Sequence, residues 1–218
     1  MRTDLSLLRL LQLFDSQFPI GAFAHSGGVE TYAALGGGVG ELADILDAQI
    51  ALGWGRSDLA AAYLAWRAAN NDDSLLSRYA RRLDGMKVVP AVRTASIGLG
   101  HRTMELLRRL YPEAVVDINP PHQAIVVGAA AAKLGVDARE LLLAYGQSLA
   151  MGTLAAGLRC MPVSPAQAHG LLVDAHPAIA SAVERVIEDP DACLFTCTPV
   201  LDIRSHQQAF LRTRLFQS

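Results

Sequence analysis

Helix-start signals recur along this chain of 218 residues and constrain its fold more than any other feature. The segments 137–140, 164–167 and 205–208 each place Asp or Ser three residues before Glu or Gln, which is the pattern of a capping box. In the second segment Pro165 follows the cap, and proline is favoured at the first helical position. The sequence therefore predicts a chain built from helices.

The composition agrees with an all-α fold. Apolar residues make up 51% of the chain and are mostly Ala and Leu, which are strong helix formers, whereas aromatic residues make up only 6%. The length suits one domain with a sizeable core. We expect a single compact domain of about ten helices, at residues 4–14, 25–35, 41–52, 58–70, 73–84, 90–111, 122–135, 137–158, 165–188 and 205–215.

Glycine and proline inside these helices predict how the helices pack. Glycine in a helix costs about 1 kcal/mol relative to alanine, so its recurrence, as at Gly98 and Gly100, favours helices that cross at close range. Pro177 is expected to kink or split the helix 165–188. Two short runs, 114–118 and 193–197, are too few for a sheet and are predicted to be extended connectors.

Charge and cysteine content indicate the setting in which the chain acts. The net charge is −2, with 8 basic against 4 acidic residues in 72–112 and 4 against 9 in 113–191, a division that suits protein partners better than nucleic acid.

Three cysteines are too few for a disulfide framework, and no signal-peptide pattern opens the sequence, so we expect a cytoplasmic protein. The apolar run 141–158 contains polar residues and glycines, and is predicted to be a buried helix rather than a membrane span.

The N-terminal segment, residues 15–32, mixes turn formers with aromatic and isolated polar residues. Pro19 and Gly21 fix an irregular path, and Gly27 and Gly28 allow close backbone approach. An ordinary surface loop does not need that mixture. The segment is therefore predicted to present its polar groups together, namely His25, Ser26, Glu30 and Tyr32.

The polar groups of this segment do not predict catalysis. His25 and Ser26 are neighbours, and adjacent side chains on a helix point about 100° apart, so they do not form a nucleophile–base pair. Ser26 is predicted to cap the following helix, and Glu30, one turn later, could meet either residue. The glycines of 36–40 lack the Gly-Lys-Ser/Thr of a phosphate-binding loop and predict a turn. We expect no enzyme activity and no cofactor.

Two sets of residues could bind a metal. Cys193, Cys197 and His206 carry ligand types that suit zinc or nickel, as do His169 with His176. The first set has an unusual spacing and the second lacks a third ligand. Buried cysteines and surface histidines explain both sets without a metal, so we expect none to bind, and a helical metalloprotein using Cys193, Cys197 and His206 remains the alternative.

The C-terminal tail, residues 205–218, ends with alternating bulky and cationic side chains. Such termini fray unless something holds them. Aromatic residues next to arginine are typical of interface anchors, here Arg212, Arg214 and Phe216. The tail therefore needs a surface to cover, either its own core or another protein.

Three segments of the sequence resemble the family of the urease accessory protein UreF. They are 18–32, the end Arg214-Leu215-Phe216-x-Ser218, and 93–98 on a predicted core helix. The resemblance implies a non-catalytic, dimeric helical bundle that joins the accessory protein UreD (also called UreH) and recruits the GTPase UreG. That assembly delivers nickel to apo-urease and affects GTP hydrolysis.

The resemblance also implies which residues meet partners. The family's partner-contacting positions fall on Tyr32 and Arg214, with Glu30 a further candidate. Together with the residues singled out above, the expected partner-binding set is His25, Ser26, Glu30, Tyr32, Arg212, Arg214 and Phe216. In this interpretation the tail is poorly ordered in the free chain and Phe216 becomes buried only in the complex.

Overall fold

The protein folds into helices joined by short turns. The computed structural model describes residues 2–217, and the side chains from residue 4 onward, and this part of the chain contains no β-strand. The all-α prediction is confirmed. The helices are α1 (Arg2–Leu13), α2 (Val29–Ala34), α3 (Val39–Leu52), α4 (Ser57–Asn71), α5 (Leu76–Met86), α6 (Pro90–Leu110), α7 (Gln123–Lys133), α8 (Ala138–Cys160), α9 (Pro165–Glu188), α10 (Pro190–Cys193) and α11 (Pro199–Gln207).

The centre of the fold is the pair α4 and α7, which make the most extensive contact of any two helices. Ala60, Ala61 and Ala62 of α4 are fully buried, and Gly128 of α7 lies against the Ala62 carbonyl. Small residues are needed here because larger side chains would push the two backbones apart. The close helix crossing that the sequence predicted is confirmed at this point.

Around this pair the longer helices complete one continuous hydrophobic core. α8 packs against α9 and buries Leu141, Leu142 and Tyr145, and α9 also packs against α3. By length and composition α8 alone among the described helices could cross a membrane, but 44% of its most apolar window is buried inside the protein. The sequence predicts a buried helix at 141–158, and α8 supplies core residues as that prediction expects. The core includes buried residues from all parts of the described chain, which makes it a single domain.

Two of the three predicted helix caps are present. The Asp137 carboxylate accepts hydrogen bonds from the N–H groups of the next turn, and Ser164 forms a complete capping box with Gln167. The third prediction is wrong, because Ser205 lies inside α11. That helix begins earlier, at Pro199, whose ring suits the first helical position.

Pro177 lies inside α9. Of the two predicted effects, a kink or a split, the split does not occur, because the helix is continuous from Pro165 to Glu188. Its buried face, which includes Ala175 and Ile179 on either side of the proline, packs against α8 and α3 and compensates for the lost hydrogen bond. Of the runs 114–118 and 193–197, predicted to be extended connectors, residues 115–118 and 194–197 are neither helix nor strand, whereas Ala114 ends a 3-10 turn and Cys193 ends α10.

Candidate partner-binding site at the joined chain ends

The N-terminal segment reaches α2 through a non-helical turn. His25 is extended, and Gly27 and Gly28 have φ of 58° and 97°, which is left-handed geometry that favours glycine. The helix predicted at 25–35 therefore begins only at Val29. Ser26 consequently does not cap α2 with its side chain, and that prediction is wrong.

The turn is shaped to receive α11. A β-carbon at Gly28 would lie 2.6 Å from Ser205 Oγ, so only glycine lets α11 approach this closely. Ser205 donates a hydrogen bond of 2.9 Å to the Gly27 carbonyl, and Thr31 donates one of 2.8 Å to the Arg204 carbonyl. These contacts fix the start of α2 against the end of the chain.

A buried chain of polar groups runs between the two ends of the protein. Ser26 Oγ donates to Gln208 Oε1 at 2.8 Å, and Gln208 Nε2 donates to Glu30 Oε2 at 2.9 Å. Gln208 and Glu30 are 2% and 6% exposed. A buried carboxylate is costly unless hydrogen-bonded, and here Gln208 supplies part of that compensation.

The last residues of the C-terminal tail supply the other hydrogen bonds to the buried Glu30 carboxylate. Glu30 also accepts hydrogen bonds from the backbone N–H groups of Leu215 and Phe216, and Gln217 N–H donates to the Ala24 carbonyl at 2.8 Å. The Phe216 ring is 5% exposed. The tail is thus tied to the N-terminal segment along its backbone.

Arg159, at the end of α8, covers the tail from the other side. Its guanidinium carbon lies 4.6 Å from the centre of the Phe216 ring, and its Nη1 donates to the Phe23 carbonyl at 2.6 Å. A cation stacked on an aromatic face contributes about 0.5–2 kcal/mol. Sequence reasoning gave Gln208 only a capping role with Ser205 and gave Arg159 none, because no local spacing links either residue to residues 23–30.

The tail therefore differs from the prediction in two ways. The helix expected at 205–215 is replaced by the end of α11 at Gln207, a 3-10 turn at Gln208–Phe210, and non-helical residues up to 217. The expectation that Phe216 is buried only in a complex is wrong, because its own chain buries it. Ser218 lies outside the described residues.

Five of the seven predicted partner-binding residues divide into an inner and an outer group. Ser26, Glu30 and Phe216 lie inside the chain and join its ends. Arg212 and Arg214 are exposed and form no ion pair within residues 2–217. We call the exposed side chains of this region the tail surface: Phe210 (78% exposed), Arg212, Arg214 and Leu215 (63% exposed).

Tyr32 and His25 lie at the edges of this arrangement. Tyr32 is partly buried, and the Arg204 guanidinium lies 5.7 Å from the centre of its ring. His25 is also partly buried, and burial, together with the positive charge of Arg102, lowers its pKa. The Ser26 hydroxyl binds Gln208 rather than His25, so these neighbours do not form a nucleophile–base pair.

The alternative metal site has no support in the geometry. Within the described part of the chain no three His, Cys, Asp or Glu side chains are grouped to hold a metal ion. Cys193 is buried with its thiol near Arg56, Cys197 is exposed, and His206 packs edge-on to Phe210. The third cysteine, Cys160, is a poor ligand, since burial and nearby Glu30 raise the pKa of its thiol to about 11.

Comparison with known proteins decides the family. A family model named UreF matches residues 38–176, which is more than half of the chain. The chain belongs to the UreF family. The urease accessory protein UreF of Nostoc sp. (strain PCC 7120 / SAG 25.82 / UTEX 2576) is 31% identical over 99% of this chain and 97% of its own length.

Other UreF proteins match over a similar span. That of Actinobacillus pleuropneumoniae serotype 3 is 29% identical over 96% of this chain, and that of Haemophilus influenzae (strain PittEE) is 28% identical over 99%. The family model leaves out both chain ends, whereas these relatives align across nearly the whole sequence. The resemblance seen in the sequence is confirmed, and membership of UreF implies a role in urease maturation.

Proposed function

We propose that this chain is a non-catalytic, cytoplasmic adaptor of urease maturation. It forms a homodimer, joins UreD (UreH) and recruits the GTPase UreG, so that nickel, the cargo of the assembly, reaches apo-urease and GTP hydrolysis is modulated. Tyr32, Arg212 and Arg214 are its partner contacts, and Glu30, Ser26 and Phe216 act by holding those contacts in place.

The observation that carries the proposal is the tail surface. Two arginines without a carboxylate partner in the described chain stand beside Phe210 and Leu215, which are mostly exposed. Aromatic residues and arginine are enriched in protein interfaces, and truncating an anchor residue there typically costs about 2 kcal/mol or more of binding. The buried hydrogen bonds at Glu30 give this surface a fixed shape before any partner binds, which lowers the entropic cost of association.

The test is reconstitution from purified components. The chain is mixed with UreD and UreG in the presence of GTP and magnesium, and the masses of the resulting species are measured by light scattering after gel filtration. We expect one species that contains all the components, with two copies of this chain. The proposal fails if UreD and UreG elute at their own masses at concentrations well above those in the cell.

A further inference from the structure

A groove runs between α3 and the N-terminal part of α11, and α2 packs against both of these helices. Its volume is about 350 Å³, which lies within the range of about 300–1,000 Å³ for ligand pockets. The chain just before α11 is fixed to the end of α3, because the Cys197 N–H donates a hydrogen bond of 2.9 Å to the Leu52 carbonyl. Tyr32 of α2 also lines the groove, so one of the expected partner contacts belongs to it.

The floor of the groove is apolar and its rim is open to solvent. Ile45 of α3 and Leu201 of α11 line it and are buried, at 4% and 6% exposure, whereas Val200 on the rim is 59% exposed. Ala48 of α3 is exposed as well. Exposed apolar side chains beside a concave apolar floor are typical of surfaces that bind a segment of another protein.

The α3 side of the groove is acidic. Glu41, Asp44 and Asp47, which we call the acidic row, are exposed and three residues apart, so they follow one side of the helix over about 9 Å. Glu41 and Asp44 line the groove, and Asp47 continues the row along α3. The backbone N–H groups of Gly38 and of Glu41 itself lower the pKa of the Glu41 carboxyl, which keeps it charged.

The acidic row has no basic partner within the described chain. None of its three carboxylates forms an ion pair in residues 4–217, and no Lys or Arg of that range lines the groove. Arg204 stacks on Tyr32, but its guanidinium donates to Gln207 at the C-terminal end of α11, whereas the groove lies at the N-terminal end. A cationic occupant would therefore meet unpaired carboxylates above an apolar floor.

The groove is opposite in charge to the tail surface. Arg212 and Arg214 make the tail surface basic, and it follows the C-terminal end of α11, while the groove lies at the N-terminal end. One segment of a partner does not match both surfaces, because a cation that suits the groove would be repelled by the two arginines. The chain thus offers two separate docking surfaces.

We propose that the groove binds a basic, amphipathic segment of a protein partner other than the one at the tail surface. Apolar side chains of that segment pack on Ile45 and Leu201, and its Lys or Arg side chains pair with the acidic row. The inference rests on the proposed function, which gives Tyr32 a partner, and extends it to two partners held by surfaces of opposite charge.

A second copy of this chain is the main alternative occupant, since its own tail surface is basic and apolar. A tail bound in this way would no longer be open to UreD or UreG. We therefore assign the groove to a different protein, and the test below distinguishes the two cases.

The first measurement uses the full-length chain alone. Its probes are a fluorescent peptide of leucine and lysine at helical spacing and the same peptide with glutamate in place of lysine, and binding is followed by fluorescence anisotropy. We expect the lysine peptide to bind more tightly, and its binding to weaken as salt is raised, because exposed charges are screened. Asp44→Lys combined with Asp47→Lys should weaken it about 10-fold or more. Glu41 is left in place because its carboxylate accepts the Gly38 N–H at the start of α3.

The matched control is Glu105→Lys combined with Glu113→Lys, which makes the same change in net charge at exposed positions outside the groove. This control should bind the lysine peptide as the wild type does. Equal binding of the two peptides to the wild type, or an equal loss in the two double variants, overturns the proposal. If the α3 double variant does not fold, the two peptides and the following measurement on the wild type still decide.

The second measurement uses Cys197, which is exposed and lines the groove, as a built-in reporter. Cys193 is buried, and burial raises the pKa of the Cys160 thiol to about 11, so a maleimide reacts with both more slowly. The rate of maleimide labelling at Cys197 is followed by peptide mass mapping. We expect this rate to fall when the lysine peptide binds and when UreD and UreG assemble with the chain.

The two measurements separate this proposal from the proposed function. If UreD and UreG do not assemble with the wild type, the proposed function fails, and the peptides still decide about the groove. If they assemble while Cys197 stays as reactive as in the free chain, or assemble equally well with the α3 double variant, the adaptor role stands and the groove proposal is wrong. Protection of Cys197 in the free chain at high protein concentration would give the groove to a second copy and overturn the assigned occupant.

Discussion

The carboxylate of Glu30 accepts a hydrogen bond from the backbone N–H of Leu215, which lies 185 residues later in the chain. Through this contact the N-terminal segment and the C-terminal tail, which the sequence presents as two separate unusual regions, become one structural unit. A backbone donor makes the contact insensitive to the identity of residue 215. The side chain of Leu215 is thereby left free to point outward, where it contributes to the tail surface.

Replacing Glu30 with alanine should loosen the tail without unfolding the core. The change leaves Gln208 Nε2 and two backbone N–H groups without their acceptor, and an unsatisfied buried donor costs about 1–3 kcal/mol. We expect the melting temperature to fall by about 2–12 °C. Hydrogen exchange at Leu215 and Phe216 should become faster in the same variant.

Glu105→Ala is the matched control, because Glu105 is an exposed glutamate on α6. This surface substitution should change the free energy of unfolding by less than about 0.5 kcal/mol and so leave the melting temperature nearly unchanged. Equal exchange rates at residues 215 and 216 in wild type and Glu30→Ala would contradict the assigned role of Glu30.

Replacing Phe216 with alanine should destabilise the free chain. A buried phenylalanine truncated to alanine typically costs about 3–5 kcal/mol, and urea unfolding of the isolated protein measures the loss. Phe216→Leu keeps an apolar side chain but removes the ring under Arg159. This variant should lose less stability than Phe216→Ala, and about 0.5–2 kcal/mol of its loss should come from the missing cation–π contact. If the Phe216→Ala variant is as stable as the wild type when free, the view that this side chain is buried only in a complex is restored.

Local signals in the sequence predicted the helices well where packing and capping agreed. Ser164 and Asp137 cap helices because the cap, the first turn and the apolar face all favour the same start. Ser205 carries a similar pattern, but Pro199 starts α11 earlier, and one capping pattern does not outweigh a favourable first-turn proline. The sequence predicts close backbone approach at Gly27 and Gly28. Their left-handed backbone, because of which α2 begins only at Val29, depends on α11 packing against them.

The site could be predicted only in part, because its contacts are non-local. The residue types at both chain ends indicated that each was unusual, but nothing in either segment shows that they meet. Arg159, which covers Phe216, looks like an ordinary polar residue in sequence, and Gln208, which binds Glu30, looks like part of a helix cap. The groove between α3 and α11 was hidden for the same reason, since its two sides come from helices that are far apart in the chain.

Replacing Arg214 with alanine should weaken assembly with UreD and UreG while leaving the free chain unchanged. Arg214 is exposed and forms no ion pair within the described residues, so its loss removes little from the fold. Loss of an interface arginine should weaken binding about 10-fold or more, measured by calorimetry or by retention of the partners on the tagged chain. Arg108→Ala, at an exposed position near the end of α6, should bind normally. Normal affinity in Arg214→Ala would remove this residue from the partner contacts.

Stability should fall on mild acidification because two histidines are held neutral by the fold. Burial lowers the pKa of both His25 and His122 below the value of about 6.5 for an unfolded chain, with Arg102 and Lys87 acting in the same direction. The unfolded state then binds more protons below about pH 6.5, so the stability present above that pH is lost as the pH falls through the lowered pKa values.

The measurement is the melting temperature at several pH values between about 7.5 and 5. His25→Gln and His122→Gln should each make the melting temperature less dependent on pH. This holds even where the substitution lowers the melting temperature at the highest pH measured. Asp202, whose pKa is raised by burial, contributes with the opposite sign, and its effect cancels when wild type and variant are compared at each pH. If both variants keep the full slope of the wild type, the loss of stability in acid comes from other groups, and the fold does not hold these two imidazoles in the neutral form.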